Sequence, residues 1–345
     1  MQTLGSATRT RVPGLVLRPL AWPEEAQLLV DVNNASRLAG GSLFVMNVEV
    51  LRSFYDHLVN SDIDADLRLA EVGGRPVGYV RVEWRDEHRG DRVHSAALFL
   101  APDAPAGSFA ALLEWILARH VEIARAQGTV DRPRTASVAT PLELPGARAS
   151  LAAHGFVPVR YSFEMLRPAL DDIPDCALPA GLEVRAVEEA HLRRIWEAEV
   201  EAFSGHWGAG ADDGRDERWL EFVADPLRDL SLWQVAWDGE EIAGMVRPFI
   251  NAGENARFNV RRGWCENIST RAPWRGKGVA SALISGALRA LRARGMTQAA
   301  LGVDAQNETG ALRLYRRMGF EEVARETEWR RPLPLVGSPS SEAEA

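Results

Sequence analysis

The stretch TRAPWRGKGVASALISGAL, residues 270–288, joins a basic turn with two glycines to a segment of helical apolar periodicity. The preceding residues, 261–270, have the pattern of a strand. A helix over 278–295 would place six apolar residues on one face, namely Val279, Leu283, Ile284, Ala287, Leu288 and Leu291. The sequence therefore predicts a strand, a short turn and a helix with one buried face.

The turn has the features of an anion site. A helix N-terminus presents unpaired backbone N–H groups and a partial positive charge. Gly276 and Gly278 would let the backbone approach a bulky anion, and Arg275 and Lys277 add charge. The residue order fits neither a Walker loop nor a dinucleotide fingerprint. Taken alone, the turn is either a phosphate or pyrophosphate site or a glycine-rich turn with exposed cations.

Composition limits the partners that the protein can have. The chain has 345 residues, of which 46% are hydrophobic and 26% charged, with a net charge of −8. This length favours two domains, and no apolar run could span a membrane. The acidic balance argues against nucleic-acid binding. Cys176 and Cys265 lack metal-type spacing, so we expect no metal, and the N-terminus lacks a secretion signal, so we expect a cytoplasmic protein. A monomer and a homodimer both stay open.

The chain also repeats its own pattern. Three pairs of segments are similar. The first pair predicts a strand, and the second predicts a hairpin whose second strand opens at Gly78 in one copy and Gly244 in the other. The third pair contains the dipeptide Gly-Phe. The matching pairs are 13–20 with 180–187, 67–84 with 232–249, and 151–159 with 315–323. Three matches in the same order predict a duplicated domain.

Each copy predicts an α/β fold in which helices cover a mixed sheet. The Pro, Asp and Gly content near 167–181 suits a boundary. The predicted organisation is a flexible N-terminus (1–12), a first domain (13–168), a linker (169–180), a second domain (181–332) and a disordered tail (333–345).

Residues 300–320 predict a short strand, then Asn307, then a helix that carries Tyr315. With the turn, this segment resembles the GNAT superfamily of acetyl-CoA-dependent N-acetyltransferases. The family pattern [RQ]-x-x-G-x-[GA] stands at 275–280, and N-x-x-x-A-x-x-x-Y-x-x-x-G-F stands at Asn307, Ala311, Tyr315 and Gly319-Phe320. The resemblance covers about residues 180–332. It implies two tandem GNAT-like domains, each with a mixed, mostly antiparallel sheet flanked by helices.

The resemblance implies a role for each residue of the site. Tyr315 would be the general acid that protonates the departing thiolate. The backbone near Ile268 and Thr270 would position the pantetheine arm, with Asn307 on its other side. The pyrophosphate would be held by Arg275, Gly276, Lys277, Gly278, Val279 and Ala280.

Glu266 corresponds to the residue from which many family members deprotonate the amine, often through water. The alternative is a solvated or salt-bridged carboxylate. Strict strand alternation would turn Cys265, Asn267 and Ser269 away from Glu266. Cys265 is therefore predicted to be a core or surface residue and not a nucleophile.

In this family the first helices and the loop that joins them select the substrate, and residues 197–219 correspond to them here. The loop is predicted to form a flexible aromatic and acidic lid over an amine substrate. The lid residues would be Phe203, His206, Trp207, Asp212 and Asp213. The alternative places Phe203 and Trp207 in the core and the carboxylates in water.

The first copy lacks the corresponding groups. Aligning the two turns sets Ala104, Pro105 and Phe109 against Arg275, Gly276 and Ala280, and aligning the Gly-Phe pairs sets Glu143 and Leu151 against Asn307 and Tyr315. Proline removes an N–H donor and the phenyl ring would crowd a phosphate. We therefore expect a degenerate first domain beside an active second one, similar to the tandem architecture of mycothiol synthases.

The resemblance implies transfer of an acetyl group from acetyl-CoA to a primary amine of a small molecule, with no nucleic-acid or membrane partner. Acetylation of a protein or peptide is one alternative. A non-catalytic CoA-binding regulatory module is a second alternative, and a nucleotide-binding module is a third. The fold does not identify the acceptor.

Overall fold

The computed structural model describes residues 12–335 except 89, 142, 143, 145, 212, 308 and 309. The predicted flexible N-terminus, apart from Val12, and the predicted tail from residue 336 onward lie outside the described residues. Val12 is buried, and Leu333 is buried in the core of the first half.

The described residues of the first half form a strand, three helices, a hairpin, a strand, a helix, a strand, a helix and a last strand. Its hairpin, β2 with β3, turns through Gly73 and Gly74. The strands are β1 (Leu15–Arg18), β2 (Leu67–Val72), β3 (Arg75–Asp86), β4 (Arg92–Leu100), β5 (Arg134–Pro141) and β6 (Val157–Arg167). The helices are α1 (Ala26–Ala39), α2 (Val48–Tyr55), α3 (Ile63–Asp66), α4 (Ser108–Ala126) and α5 (Ala147–Ala153).

The second half repeats this order, but a 3-10 helix (Leu230–Leu232) stands in place of α3, and one short helix is added between the third and fourth strands. The strands are β7 (Glu183–Arg185), β8 (Gln234–Asp238), β9 (Glu241–Phe249), β10 (Arg262–Thr270), β11 (Gln298–Asp304) and β12 (Glu321–Pro332). The helices are α6 (Leu192–Phe203), α7 (Asp216–Ala224), the added α8 (Ala252–Phe258), α9 (Val279–Ala293) and α10 (Ala311–Arg317).

Gly78 and Gly244 were predicted to open β3 and β9, but they lie inside these strands. A Cβ atom on Gly244 would lie 2.6 Å from the Ser269 carbonyl oxygen, and one on Gly78 would lie 2.9 Å from that of Phe99. Both contacts are too close for a side chain. The two glycines therefore mark the close approach of the next strand in each half.

All twelve strands form one sheet in the order β1-β2-β3-β4-β5-β12-β6-β11-β10-β9-β8-β7. The pairs β4–β5 and β10–β11 are parallel, and the other pairs among the described residues are antiparallel. The sheet is therefore mixed and mostly antiparallel, as predicted.

The two halves exchange their last strands. Strand β6 of the first half pairs with β11 and β12, and β12 of the second half pairs with β5 and β6. The sequence repeat did not predict this exchange. As a consequence, residues of both halves meet at the centre of the sheet.

Helices cover both faces of the sheet. In the second half α9 and α10 pack on one face and α6 and α7 on the other, and in the first half α4 and α5 lie opposite α1 and α2. All six apolar residues predicted for one face of α9 are buried. Within the described part of the chain, no helix combines the length and the apolar composition that a membrane crossing requires.

Candidate active site

The site lies where strands β10 and β11 separate. Their parallel pairing ends at Trp264 and Ala300. The register of β10 against β9 shifts between Glu266 and Ser269, and Asn267 has a left-handed φ of 51°. The expected strict alternation is therefore wrong here, because a bulge breaks it. As a result, consecutive residues of β10 line one cavity, namely Cys265, Glu266, Asn267, Ile268, Ser269 and Thr270.

The turn after β10 has the backbone conformation that an anion site needs. Gly276 and Gly278 have φ angles of 73° and 92°, a region that other residues rarely adopt. Gly278 is the N-cap of α9, and no side chain caps this helix. The first N–H groups of α9 can therefore bind a ligand. A Cβ atom on either glycine would meet nothing within 4 Å, so conformation and not space requires glycine here.

Arg275 and Lys277 differ in their surroundings. The Arg275 guanidinium donates hydrogen bonds to the carbonyl oxygens of Thr270 and Ala202, both at 2.9 Å, and so joins the ends of β10 and α6. Lys277 is exposed and does not line the cavity. Arg275 therefore holds the turn in place, whereas Lys277 stays at the surface.

A cavity of about 730 Å³ brings together most of the predicted site residues. The hydroxyl oxygens of Ser269 and Thr270 are buried beside it and have no hydrogen-bond partner among the described residues, so a bound ligand could satisfy them. No group of three or more histidine, cysteine or carboxylate side chains in the described residues is arranged to hold a metal ion. The predicted residues that line the cavity are Phe203, His206, Glu266, Ile268, Thr270, Arg275, Gly276, Gly278, Val279, Ala280, Asn307 and Tyr315.

Glu266 crosses the gap between β10 and β11. Its Oε1 accepts a hydrogen bond from the Gly302 N–H at 2.9 Å. Burial raises the pKa of Glu266 to about 7; the Gly302 hydrogen bond opposes this shift and the charge of Glu164 adds to it. A carboxyl group with this pKa can accept a proton at neutral pH.

Tyr315 on α10 is 5% exposed. Burial, followed by the charges of Glu266 and Cys265, raises the pKa of its phenol, so the hydroxyl keeps its proton at neutral pH. Cys265 is fully buried in the core, and burial also raises the pKa of its thiol. A buried, protonated thiol is a poor nucleophile, which agrees with the interpretation of Cys265 as a core residue.

The loop between α6 and α7 is docked on the first half of the chain. The His88 N–H donates to the carbonyl oxygen of Ala209, and the Ala211 N–H donates to that of Asp86, both at 2.8 Å. Asp212, one of the predicted acidic lid residues, lies outside the described residues. The loop thus joins the end of β3 to the entrance of the cavity.

The three predicted aromatic lid residues lie in two places. Phe203 and His206 line the cavity, with ring centroids 4.8 Å apart in an edge-to-face contact. Trp207 instead lines a neighbouring cavity and is 39% exposed. The guanidinium groups of Arg160 and Arg330 lie 5.1 and 4.1 Å from its ring centroid. Trp207 is therefore neither a core residue nor a lining residue of the main cavity.

One residue of the first half reaches the site because of the strand exchange. Glu164 on β6 lies opposite Gly302 of β11. Its carboxylate accepts hydrogen bonds from the Ser42 hydroxyl at 2.6 Å and from the Leu43 N–H at 2.7 Å. Its charge also raises the pKa of Glu266. Nothing in the sequence signalled this contact, since no pattern indicated that β6 leaves its own half.

The first half keeps the helix geometry of such a site without its polar groups. Gly107, with a φ of 88°, is the N-cap of α4. Pro105 precedes it and has no N–H to donate. Phe109 and Leu151 are buried in the core. Glu143, the residue aligned with Asn307, lies outside the described residues.

This chain is similar to known proteins over most of its length. Residues 192–320 match the Acetyltransferase (GNAT) family. A mycothiol acetyltransferase of Geodermatophilus obscurus is 31% identical over 288 residues, which are 78% of this chain and 87% of that protein. A mycothiol acetyltransferase of Catenulispora acidiphila is 28% identical over 73% of this chain and 76% of its own length. The similarity therefore includes much of the first half.

Solved structures share the whole architecture. A GCN5-related N-acetyltransferase from Sphaerobacter thermophilus aligns with a TM-score of 0.70 at 24% identity, over 93% of this chain and 96% of that one. A tandem GNAT protein from the clavulanic acid biosynthesis pathway aligns with a TM-score of 0.65 at 16% identity, over 93% and 99%. At these identities the likeness shows the fold alone.

Proposed function

Because this chain belongs to the GNAT acetyltransferase family and is an acyltransferase similar to mycothiol acetyltransferases, we propose that its second half transfers an acetyl group from acetyl-CoA to a primary amine of a small molecule. One observation carries the proposal. A single cavity joins a carboxyl group of pKa about 7, a protonated phenol and the uncapped N-terminus of α9. These groups can serve as a base, an acid and an anion site.

The cavity residues fit acetyl-CoA. The N–H groups at Gly276–Ala280, beside the Arg275 that fixes the turn, would bind the pyrophosphate, with Lys277 adding charge from the surface. The pantetheine arm would lie along β10 at Ile268 and Thr270, with Asn307 across from them. The unpartnered Ser269 and Thr270 hydroxyls supply hydrogen-bonding capacity on this wall.

Bound acetyl-CoA supplies an acyl group activated as a thioester. Glu266 in its ionised form accepts the proton of the attacking amine, directly or through one water. The new N–C bond forms as the C–S bond breaks, and the Tyr315 hydroxyl donates its proton to the departing sulfur. Burial keeps Tyr315 protonated, which is the form that an acid needs. For Glu266, burial lowers the ionised fraction but makes the carboxylate a stronger base, and a pKa of about 7 leaves part of it ionised at neutral pH.

Two alternatives use the same site. The loop between α6 and α7 is hydrogen-bonded to the first half and places His206 on the cavity wall, which favours a small acceptor over a protein or peptide. A non-catalytic CoA-binding module would have no use for Glu266 and Tyr315 in one cavity. Since relatives are named mycothiol acetyltransferases, amines of the mycothiol type belong among the acceptors to be assayed.

The domain boundaries at 13–168 and 181–332 are also part of the proposal, as the limits of the two copies. A monomeric or homodimeric state and a cytoplasmic location stay predictions from the sequence. The first copy is proposed to carry no acetyl-CoA site of its own.

The test is release of the CoA thiol from acetyl-CoA with small amines and with peptides. Small amines should be acetylated. Tyr315→Phe should lower kcat by at least about tenfold and leave acetyl-CoA affinity within about twofold, because the hydroxyl acts in the transition state. Tyr79→Phe, in the core of the first half, should leave turnover unchanged. Acetylation of peptides only, or full turnover by Tyr315→Phe, would refute the proposal.

A further inference from the structure

A second cavity, of about 400 Å³, adjoins the active site. Gly302 and Val303 of β11 line both cavities. From these residues the second cavity extends along the exchanged strands β6 and β12 to α1 and β4 of the first half. It therefore begins beside Glu266, whose carboxylate is hydrogen-bonded to Gly302.

The second cavity occupies the gap between β4 and β5. The parallel pairing of these strands ends at Ala96 and Val138, much as β10 and β11 separate in the second half. Toward α4, Phe109 and Leu151 are packed in the core. The strand residues beyond the last paired positions that line the cavity are Ala97, Leu98, Phe99, Ala139 and Pro141. Strands β4 and β5 of the first copy thus separate as β10 and β11 do, and the cavity between them extends toward α1.

Three arginines line this cavity, and they differ in their partners. Arg81 forms an ion pair with Glu83 at 2.7 Å. Arg37 lies 5.7 Å from the ring centroid of Phe99, and Arg325 lies 3.9 Å from that of Tyr161. The buried Nε atoms of all three arginines make no hydrogen bond with the described residues. The guanidinium groups of Arg37 and Arg325 lie over aromatic rings, and an oxyanion would satisfy their unpaired donors.

The carboxylates of the cavity are mostly engaged. Glu83 pairs with Arg81, and Glu164 accepts from Ser42 and Leu43. Glu326 remains, and burial raises its pKa against the opposing charge of Arg37. The cavity as a whole is lined by three arginines and three carboxylates, but at this end Arg37 and Arg325 face only Glu326, whose raised pKa favours its neutral form, so the local charge is positive. Glu164 and Glu266 make the opposite end, at Gly302, acidic.

We propose that this cavity binds the acceptor, and that the acceptor is an amine carrying a carboxylate or similar small anionic group, with its amine at Glu266 and its anion at Arg37 and Arg325. The inference rests on the proposed acetyl transfer and adds the class of substrate to it. The volume suits a small molecule. The two copies then divide the work, since the second binds acetyl-CoA and the first binds the far end of the acceptor.

The experiment compares matched acceptors, each an amino acid with a different spacing between amine and carboxylate, and its carboxamide. With the wild-type protein at least one amino acid should have a KM at least about tenfold below that of its amide, as charge-assisted hydrogen bonds would give. Arg37→Gln and Arg325→Gln should each raise that KM toward the value for the amide. Arg37→Lys, which keeps the charge, should restore part of the preference.

Arg75→Gln is the matched control, because Arg75 lies in an exposed ion pair with Asp103 at the first hairpin and should keep the full preference. Thermal unfolding shows which variants are folded, and Arg325→Lys replaces Arg325→Gln if the latter does not fold. If the wild-type protein has equal KM values for every amino acid and its carboxamide, the inference is wrong but the proposed function stands. The same holds if the Arg37 and Arg325 variants keep the full preference for the amino acid over its carboxamide. If no small amine is acetylated, the proposed function fails, and calorimetric binding of the same pairs then decides the inference.

Discussion

The burial of Glu266 makes the reaction rate depend on pH near neutrality. Its pKa of about 7 means that the ionised base becomes more abundant as pH rises through this value. The kcat/KM should therefore rise over the same range. Glu266→Gln should lose this rise and lower kcat/KM by about 10²- to 10⁴-fold. The measurement is the pH–rate profile of both proteins with one amine.

The same residue provides an independent readout in stability. The folded-state pKa of Glu266 lies above its unfolded value, so its contribution to stability is present at low pH and is lost as pH rises through about 7. Glu266→Gln should therefore unfold at a higher temperature than the wild type above pH 7. Glu240→Gln, at an exposed carboxylate, is the control and should change neither profile. An inflection of kcat/KM near pH 7 that persists in Glu266→Gln would exclude Glu266 as the base.

Single residues were predictable from the sequence where a motif fixed both their type and their spacing. Asn307 and Tyr315, which the second motif specified, line one cavity together with Glu266, which was chosen for its position on the strand before the turn. Trp207 was misplaced, because residues close in sequence can face different cavities when a loop docks elsewhere. Glu164 could not be predicted, since its position depends on a strand pairing that leaves no local pattern.

At the scale of elements, periodicity predicted β10 and α9 and the buried face of the helix. It did not predict the bulge in β10, because a bulge adds a residue without changing composition. The bulge matters for function, since it lets consecutive residues of β10 line the cavity.

The junction of β10 with α9 predicts the effect of Gly278→Asp. A carboxylate at the N-cap of α9 would stand where the pyrophosphate binds, so acetyl-CoA affinity should fall by at least about a hundredfold. The affinity is measured by calorimetry. In Gly278→Asn the new residue must adopt the same φ of 92° as Asp but carries no charge. This variant should therefore lose much less affinity for acetyl-CoA.

A second control separates this effect from backbone strain in general. Gly295 follows α9 with a φ of 82° and open space around it. Gly295→Asp should destabilise the fold and leave acetyl-CoA binding intact. Retained affinity in Gly278→Asp would mean that the anion site lies elsewhere.

At the scale of the whole molecule, the repeat predicted two similar halves with mixed sheets. The exchange of β6 and β12 was not predictable, because the pattern within a strand is the same whichever strand lies beside it. Only the pairing reveals that both halves build the centre of the sheet. The second cavity, between the halves, is a product of this exchange.

The central claim is that one of two copies kept the acetyl-CoA site and the other lost it. Calorimetric titration of the full chain with acetyl-CoA tests this most directly, because it gives the number of sites as well as the affinity. We expect one site per chain, abolished by Gly278→Asp. Two sites per chain would show that the first copy is not degenerate, and no binding would contradict the assignment of the cavity between β10 and α10.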